Sequence, residues 1–481
     1  MRMPQYRTLG KALGAFLLLL LLSAGAITWS ATRKADPLVV NDISQLNPIR
    51  VAEVIAPKLT EEIVEAVRTH SGPISVGGGR YSMGGQTATE GALQIDMRQF
   101  NRILALDAKQ KSITIQAGTN WRQIQERIDA ENLSVKVMQS YANFTVGGSL
   151  SVNAHGRYVG LGPIIMSVRS IKIVLPDGTL VQASRTENRD IFFGAIGGYG
   201  GLGVITEATL DLADNIRIKR ERTTMPLSAY NNYFLMKVKG SSDVVLHNAD
   251  LYPESYDQIQ ALSYVRTNDP VTVKDRVRPF DRSYTADRFA YWAMSEWPHG
   301  KIIRRKFLDP IVEKNGAVVW LNYEAGDDVG ELEPISRQRS TYLLQEYFVP
   351  VDQLETFVPK MRGILQRSKV NVLNVSIRHA EPDAETLLSW APREVFSLVL
   401  YFKQDVKASE LERERAWTRD LIDAALSVGG SYYLPYQLYA TPEQFLRAYP
   451  GAPAFFALKK SIDPSNKFRN KLWDKYFAIT Q

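Results

Sequence analysis

The chain has 481 residues, of which 45% are hydrophobic and 23% are charged, so it has the composition of a folded globular protein and the length of about two domains. Its 58 basic and 51 acidic residues are mixed along the sequence, which disfavours a nucleic-acid partner. The absence of cysteine excludes disulfides, thiolate metal sites and cysteine nucleophiles, and the five histidines show no metal-ligand spacing. No metal site is therefore predicted.

The N-terminal segment is predicted to enter a membrane. Residues 12–31 are apolar or small, include six consecutive leucines and follow Arg2, Arg7 and Lys11. A run of this length can span a bilayer as a helix, and the same arrangement is also that of a cleaved signal peptide. We favour the uncleaved anchor, because the end of the run lacks the small residues of a cleavage site. The flanking basic residues then predict a single-pass membrane protein whose body lies outside the cytoplasm, in the periplasm.

The predicted elements divide the chain into an N-terminal membrane segment (1–35), a first domain (36–214), a second domain (215–428) and a tail (429–481). The first domain has a short extended piece and a helix at 51–68, a helix at 120–132, and short strands separated by glycines at 74–76, 93–96, 112–117, 170–175, 180–183 and 203–212. In the second domain, strands such as 342–349 and 395–402 alternate with helices at 351–368 and 407–427. This pattern predicts an α+β domain with a sheet covered by helices.

A glycine-rich loop follows the first of these strands, with the sequence VGGGRYSMGG at residues 76–85. Consecutive glycines let backbone N–H groups approach an anionic pyrophosphate without interference from Cβ atoms. The loop is therefore a candidate phosphate cradle. Taken alone, it could also be a glycine-rich hairpin that binds nothing.

Two further glycine blocks follow, FTVGGSLSVNAHGR at residues 144–157 and IFFGAIGGYGGLGVITEATLDL at 191–212. The second contains Gly198, Gly200 and Gly203 in the spacing G-x-G-x-x-G, which in a nicotinamide-binding domain opens a helix. Here the following residues VITEATLDL alternate as a strand does. The sequence therefore predicts a dinucleotide fold other than the Rossmann type.

Taken in order, these blocks resemble the FAD-binding domain of the vanillyl-alcohol oxidase and p-cresol methylhydroxylase superfamily, over residues 50–212 and again in the tail. The resemblance implies an α+β, two-domain fold of the p-cresol methylhydroxylase type, with FAD as the cofactor and a substrate (cap) domain beside it. Lys467 in the closing segment DPSNKFRN is a further plausible flavin contact. The FAD-binding positions that the resemblance implies are Gly77, Gly78, Gly79, Arg80, Tyr81, Ser82, Gly147, Gly148, Ser149, Asn153, His155, Gly156, Gly203, Val204, Ile205 and Asn470.

One departure from the family concerns the attachment of the flavin. Many relatives carry a histidine in the first glycine loop that is linked covalently to the flavin, at the position that Arg80 occupies here. The prediction is therefore non-covalent FAD. His155 lies in a different block, and we expect it to pack or hydrogen-bond beside the flavin.

The second domain and the tail supply candidate catalytic residues. The segments around Glu346 and Arg378 resemble strands that present side chains to the flavin in sugar and lactone oxidoreductases of this superfamily. Such a pair could orient a polyol and stabilise charge, although it could also be an ordinary cross-strand ion pair. The tail sequence GGSYYLPYQLYATPEQFLRAYP resembles the decaprenylphosphoryl-ribose oxidases and the cytokinin dehydrogenases. It implies that Tyr436 and Gln437 face the substrate, whereas the lysine and the cysteine of the former enzymes are absent.

Together these resemblances imply an FAD-dependent oxidoreductase that transfers a hydride from a CH–OH group of a sugar, polyol or lactone to the flavin. The flavin would be reoxidised by oxygen or by a membrane quinone. Three alternatives remain open from the sequence: a membrane-tethered electron-transfer flavoprotein without its own substrate, an amine oxidoreductase of the cytokinin-dehydrogenase type, and a scaffold that has lost FAD.

Overall fold

The structure is a computed structural model that describes residues 36–253, 255–280, 284–297, 299–308 and 315–480. It divides into two units, Met1–Val39, of which only residues 36–39 are described, and Val40–Gln481, which contains the site discussed below. The predicted membrane segment at residues 12–31 lies outside the described residues. Within the described ranges, no helix is both long enough and apolar enough to cross a bilayer.

The described chain is a mixture of strands and helices, as predicted. In chain order the strands are β1 (Val39–Val40), β2 (Ile49–Arg50), β3 (Glu53–Ile55), β4 (Ile74–Gly77), β5 (Leu93–Asp96), β6 (Ile103–Asp107), β7 (Ser112–Gln116), β8 (Leu133–Val135), β9 (Val168–Val174), β10 (Leu180–Ser184), β11 (Val204–Asp214), β12 (Arg217–Pro226), β13 (Val244–Leu251), β14 (Gln258–Arg266), β15 (Val318–Trp320), β16 (Ser340–Pro350), β17 (Asn371–Ala380), β18 (Val395–Asp405) and β19 (Ser431–Tyr432). The α-helices are α1 (Thr60–Thr69), α2 (Trp121–Asp129), α3 (Val146–Ser151), α4 (Arg189–Ala195), α5 (Leu227–Tyr233), α6 (Thr285–Glu296), α7 (Gly300–Ile303), α8 (Leu321–Ala325), α9 (Leu354–Arg367), α10 (Ala408–Leu426), α11 (Pro442–Ala448), α12 (Ala452–Ile462) and α13 (Lys471–Tyr476).

The glycine-rich half of the chain forms two sheets. One is parallel, with the strand order β3-β5-β4, and β4 leads directly into the first glycine loop. The other is antiparallel, with the order β10-β9-β11-β7-β6 and β8 paired to β11. On β11, Ala208, Leu210 and Leu212 are buried and alternate with partly exposed residues, which is the pattern that predicted a strand here. The strand confirms that the G-x-G-x-x-G spacing does not open a Rossmann helix.

The remaining strands form an antiparallel sheet in the order β15-β12-β14-β13-β17-β18-β16-β19. β16 and β18 pair along their whole length, and helices α9 and α10 pack against each other and against this part of the sheet. The side chain of Gln345 on β16 faces the helices, where its Nε2 donates to Thr418 Oγ1 on α10 at 2.8 Å. Successive residues of a strand point to opposite faces, so Glu346 points away from the helices.

The tail returns to the parallel sheet and completes it. The N–H of Ile74 on β4 donates to the carbonyl of Lys467 at 2.7 Å, and the N–H of Arg469 donates back to the Ile74 carbonyl at 2.9 Å. The buried Lys459 holds this segment, because its Nζ contacts Asp463 Oδ2 and the carbonyls of Gly201 and Phe468 at 2.8–2.9 Å. The edge of the parallel sheet therefore depends on residues nearly 400 positions further along the chain.

A buried carboxyl group makes the interface between α10 and β16 sensitive to pH. Glu414 is fully buried and accepts hydrogen bonds from Tyr439 and Gln345, and burial raises its pKa from 4.5 to about 8 despite these two bonds. Between pH 4.5 and about 8, Glu414 holds its proton in the folded state, whereas in the unfolded chain it is ionised. Glu414 should therefore contribute a decrease in the free energy of unfolding of about 1.4 kcal/mol per pH unit as the pH rises from 4.5 towards 8, and this slope should vanish above that value. Other groups add their own contributions, such as the buried His247, whose lowered pKa gives a slope of opposite sign below pH 6.5.

We expect E414Q to remove this slope, because the amide cannot ionise. The measurement is the free energy of unfolding in denaturant at several pH values between 4.5 and 8 for the wild type and E414Q. The matched control is E412Q, an exposed position on the same helix, which should keep the wild-type slope. Equal slopes for the wild type and E414Q would show that Glu414 does not titrate in this range.

Candidate active site

The structure contains a cavity with about 1690 Å³ of empty space, part of it open to solvent. It is bounded by the three glycine-rich segments, by the antiparallel sheet that contains β16, β17 and β18, and by the tail. From the glycine-rich half it receives the first loop, helix α3 and the turn before β11. From the sheet it receives the face of β16, β17 and β18 that is opposite α9 and α10, and from the tail it receives the turn at residues 433–436. The lining side chains used below belong to Tyr81, Thr145, His155, Leu332, Tyr342, Glu346, Arg378, Tyr401, Tyr433 and Tyr436.

The first glycine loop and helix α3 are joined through one hydroxyl group. Thr145 is the N-cap of α3, and its Oγ1 accepts from the N–H of Gly148 and from the N–H of Gly79, both at 3.4 Å. A Cβ atom on Gly78 would lie 2.2 Å from this oxygen, whereas a Cβ on Gly148 would meet no described atom within 4 Å other than Thr145 Oγ1 at 3.0 Å. Glycine at 78 is thus required by packing, and glycine at 148 leaves room towards the cavity.

Arg80 lies at the turn of the first loop, with a left-handed φ of 60°. Its Nη2 contacts Asp96 Oδ2 at 3.1 Å, at the end of the neighbouring strand β5. Next to it, Tyr81 stacks on Phe144 with ring centroids 4.2 Å apart, which ties the first loop to the second glycine block. The loop is therefore held in place from both sides of the cavity.

The tail turn is docked on the first glycine loop by hydrogen bonds to its backbone. The N–H of Met83 donates to the carbonyl of Pro435 at 2.7 Å, and Gln86 Nε2 donates to the carbonyls of Leu434 and Tyr436 at 2.7 and 2.8 Å. These bonds place the ring of Tyr436 in the cavity. The turn therefore brings a phenol from the end of the chain to the strand that carries Glu346.

Glu346 is the centre of a buried polar network at the cavity. Its Oε1 lies 2.5 Å from His155 Nε2 and also accepts from the hydroxyl of Ser397, while its Oε2 accepts from the hydroxyl of Tyr436 at 3.1 Å. Burial raises the pKa of Glu346, but His155, the positive charge of Arg378 and the Ser397 hydroxyl outweigh it, so that the pKa is lowered. The group is a carboxylate at neutral pH that is poised to accept hydrogen bonds.

The pKa of Tyr436 is shifted in the opposite direction to that of Glu346. Burial raises its pKa well above 10, and the neighbouring charge of Glu346 raises it further. The phenol is therefore neutral at neutral pH, so it donates its proton to Glu346 and leaves its own oxygen as an acceptor towards the cavity.

Aromatic rings enclose His155. Its ring centroid lies 4.8 Å from that of Trp390, 5.7 Å from Phe348 and 6.0 Å from Tyr433. With Nε2 at Glu346, its Nδ1 has no hydrogen-bond partner among the described residues. This buried nitrogen is available to a ligand of the cavity.

Arg378 on β17 is separated from Glu346 by strand β18. The sheet register pairs Arg378 with Ser397 and Glu346 with Val399, so these side chains share the cavity face. No ion pair joins Arg378 to Glu346 within the described part of the chain, and the Nε of Arg378 is buried without a hydrogen-bond partner there. The two residues therefore flank the cavity rather than neutralise each other.

The structure brings thirteen of the residues proposed from the sequence to the wall of this cavity: Gly78, Gly79, Arg80, Tyr81, Ser82, Gly147, Gly148, His155, Gly203, Ile205, Glu346, Arg378 and Tyr436. Seven lie outside the wall: Gly77, Ser149, Asn153, Gly156, Val204, Gln437 and Asn470.

Several residues outside the wall support it. Ser149 Oγ bonds Trp121 and Gln139, Asn153 Nδ2 donates to Asp383 Oδ2 at 2.9 Å, and Asn470 Nδ2 donates to the carbonyl of Tyr199 at 2.8 Å. Lys467 likewise donates to backbone carbonyls, those of Val67 and Pro176. These side chains are engaged with the protein itself.

Gln437 differs from its neighbour Tyr436. It lines a separate surface pocket together with Arg415, Arg419 and Lys475. Of these two residues, therefore, Tyr436 faces the cavity and Gln437 faces the surface pocket.

Sequence reasoning missed several residues at this site. Ser397, Tyr401 and Tyr342 lie on the strands that carry or flank the candidate catalytic residues, and Tyr141 enters from the loop before α3. The two-residue alternation of β16 and β18, aligned through their register, could have identified the first three. No local pattern marks Tyr141.

The second cluster of ionisable groups is not at the cavity. His379, Glu381 and Glu394 present atoms that lie within 4.8 Å of one another and could hold a metal ion. The Nζ of Lys239 lies 2.6 Å from Glu394 and 3.3 Å from Glu381 and supplies the positive charge there. This cluster is thus a lysine-centred ion-pair network.

The cavity fits FAD on three observations. Two glycine segments present backbone to it, a Cβ on Gly200 would meet no described atom within 4 Å, and polar atoms of Arg80, His155 and Arg378 are buried without partners in the described chain. Residues 78–82 and 147–148 would hold the phosphates, and His155 and Tyr436 present a ring nitrogen and a hydroxyl group at the same cavity wall. The fold and the site define an FAD-binding protein.

Comparison with known proteins finds similarity to FAD-dependent enzymes. The family model described as FAD binding domain matches residues 51–184. The chain is 20% identical to L-gulonolactone oxidase of Bos taurus over 86% of this chain and 92% of that protein. It is 33% identical to L-galactono-1,4-lactone dehydrogenase 1 of Oryza sativa subsp. japonica over 25% of this chain, and that match spans 21% of the rice protein. Cytokinin dehydrogenase 2 of Arabidopsis thaliana is 25% identical over 38% of each chain. These similarities support an FAD-dependent oxidoreductase that resembles the p-cresol methylhydroxylase superfamily, with an FAD binding domain at residues 51–184.

Proposed function

We propose that the protein oxidises a CH–OH group of a sugar, polyol or lactone, with non-covalently bound FAD as the hydride acceptor and oxygen or a quinone as the final acceptor. The observation that carries this proposal is the buried network of Glu346, His155, Ser397 and Tyr436 at the cavity, with the charge of Arg378 on the neighbouring strand. The similarity to L-gulonolactone oxidase along most of the chain supports the substrate class. Arg80, at the position of the covalent histidine of relatives, supports non-covalent binding.

In this mechanism the protein handles the proton and the orientation of the substrate. The substrate hydroxyl donates to the oxygen of Tyr436, whose own proton is held by Glu346 Oε2, so that the hydroxyl proton moves towards the carboxylate as the C–H bond breaks. Arg378 stabilises the negative charge that develops on the substrate oxygen. When bound, FAD supplies the two-electron acceptor for the hydride. The aromatic residues around His155 keep water away from this network.

We also propose the domain division given by the sequence, with residues 36–214 and 429–481 holding FAD and residues 215–428 holding the substrate. Residues 12–31 would anchor the protein in a membrane with its body on the periplasmic side. Retention of the full chain in the membrane fraction after a high-salt wash, with release by detergent, tests the anchor. Release by salt alone would contradict it.

The first experiment is the visible absorption spectrum of the purified full chain before and after acid precipitation. Flavin released into the supernatant is the expected result, and flavin retained in the pellet would contradict non-covalent binding. The flavin-loaded protein is then offered lactones, polyols and, as the competing class, amines of the cytokinin type, with oxygen and quinone acceptors. Bleaching of the flavin by an amine and by no alcohol or lactone would overturn the proposed substrate class.

We expect Y436F to lower kcat about 10- to 100-fold with little change in flavin content, because it removes one hydrogen bond to a charged group. The matched control is Y439F in the same tail segment, whose hydroxyl bonds Glu414 and which is absent from the cavity wall. Steady-state kinetics and flavin absorbance of both variants provide the comparison. Unchanged turnover in Y436F would exclude the phenol from the reaction.

A further inference from the structure

The helix pair α6 and α7 carries an exposed aromatic patch, which we define as Phe289, Trp292, Trp297, Ile302 and Ile303. These side chains are between 37% and 52% exposed. The three aromatic rings form one cluster, with centroids 5.5 Å apart for Phe289 and Trp292 and 6.4 Å apart for the other two pairs. Single exposed apolar residues are common on soluble proteins, but a contiguous cluster of large rings marks an interaction surface.

Basic residues accompany the aromatic patch. Between Thr285 and Lys306 the sequence has five lysine or arginine residues and two acidic residues. Glu296 is paired with Lys403 and Arg288 is paired with Glu333, so the other basic residues of this stretch are the four between Lys301 and Lys306. Exposed tryptophan rings beside lysine and arginine are the combination that binds at the headgroup level of an anionic bilayer.

The other face of α6 packs against residues that line the cavity. Tyr291 contacts the ring of Tyr401 edge-on at 5.9 Å, and Met294 packs in one cluster with Tyr342 and Tyr401. Both of these partners line the cavity, and so does Leu332, which packs against the same cluster. The helix therefore has one face packed behind the cavity wall and the opposite face at the surface.

The amphipathic character of α6 agrees with a helix that lies on a membrane rather than across it. Its 12 residues are too few to span a bilayer, which requires about 20. Its exposed face carries the rings, and basic residues follow in α7 and the next turn. This is the arrangement of an interfacial helix, which buries its apolar side chains at the boundary between headgroups and acyl chains.

We propose that the aromatic patch docks on the surface of a bilayer that contains anionic lipids, so that α6 lies between the membrane and the part of the cavity wall against which it packs. The inference goes beyond the proposed oxidation, since it concerns a surface and not the chemistry of the site. It is also separate from the proposed anchor at residues 12–31. Such an anchor could hold the body at a membrane without bringing this patch into contact with lipid.

The absence of cysteine in the chain allows a direct test on the full-length protein. In I302C, a single environment-sensitive fluorophore reports on the patch, and in L180C, a second exposed apolar position on β10, it reports on a surface elsewhere. Both labelled proteins are reconstituted in phosphatidylcholine vesicles with and without phosphatidylglycerol. We expect the label at 302 to shift to the blue and to be quenched by nitroxide lipids, more strongly with phosphatidylglycerol, and the label at 180 to show neither effect.

Two further variants in the I302C background separate the contribution of the basic residues from that of the aromatic rings. K306Q should reduce the ratio of lipid-contacting to water-exposed label about fivefold in anionic vesicles only, because it removes one attractive charge. W297S should reduce it in both kinds of vesicle. Flavin absorbance and turnover of a water-soluble substrate monitor the site separately, so a loss of activity does not count against the surface.

Two outcomes would overturn the proposal. In the first, the labels at 302 and 180 behave alike in anionic vesicles, which would mean that the patch does not touch lipid. In the second, the blue shift at 302 appears in detergent without vesicles and increases with protein concentration, which would mean that the patch is covered by a second copy of the chain.

Discussion

E346Q should lower kcat/KM about 1000-fold, because it removes the only group that holds the proton of Tyr436 and accepts the substrate proton in the proposed mechanism. The amide has nearly the shape of the carboxylate, but it carries no charge and offers one acceptor where Glu346 offers two. His155 and Ser397 both contact Oε1 and Tyr436 contacts Oε2, so the amide either takes the acceptor from Tyr436 or takes it from His155 and Ser397 together. The fold should persist, since the side chain keeps its volume.

Flavin content, thermal stability and steady-state kinetics of E346Q are the measurements. The matched control is E207Q on β11, where the carboxylate pairs with Lys172 at 3.0 Å and is absent from the cavity wall. Because the pKa of Glu346 is lowered by its neighbours, the carboxylate persists at pH values below the usual range of a glutamate, and the activity of the wild type should fall only when the pH drops below that range. Wild-type activity in E346Q, with flavin bound, would remove Glu346 from the mechanism.

G78A should weaken FAD binding about 100-fold. The added Cβ would lie 2.2 Å from Thr145 Oγ1, so the first loop or the N-terminus of α3 must move, at a cost of about 1–3 kcal/mol. The same oxygen caps α3 and accepts from Gly79, and its displacement therefore disturbs both segments that would hold the phosphates. The loss should appear as a low ratio of flavin to protein absorbance that added FAD restores.

G91A provides the comparison, because Gly91 also lies next to a strand of the parallel sheet but its Cβ would meet no described atom within 4 Å. Its φ of 67° is strained for alanine, so G91A should lose stability and keep its flavin. Full flavin occupancy in G78A at the wild-type affinity would show that the loop is not part of the cofactor site.

The sequence predicted the elements whose pattern is local. The helix that we expected at 407–427 is observed at Ala408–Leu426, and the strand expected at 93–96 is observed at those residues. The strands Arg217–Pro226 and Gln258–Arg266 were missed because polar and apolar residues are mixed in them without clean alternation. The short helix Val146–Ser151 was also missed, since two glycines disfavour a helix that Thr145 and tertiary packing stabilise.

The residues of the site likewise fall into those that a local sequence pattern predicts and those that only the tertiary structure brings together. The glycine loops could be predicted, because consecutive glycines are visible in the sequence itself and their lack of a Cβ atom explains them without any tertiary contact. The contact between His155 and Glu346 joins residues 191 positions apart, and the contact between Tyr436 and Glu346 joins residues 90 positions apart. Each pair meets only through the register of β16 and the docking of the tail turn. The resemblance to a family named these residues individually, but the structure shows which atoms they present to one another.

The return of the tail to β4 has a consequence for biosynthesis. Strand β4, which precedes the first glycine loop, is flanked by residues 467–469. Lys459 links that segment to the turn before β11 through a hydrogen bond to the carbonyl of Gly201. A nascent chain on the ribosome has made both glycine segments long before it has made these residues. This edge of the parallel sheet therefore stays unfinished until residues 459–469 have been made, and we expect FAD to bind only after they have left the ribosome.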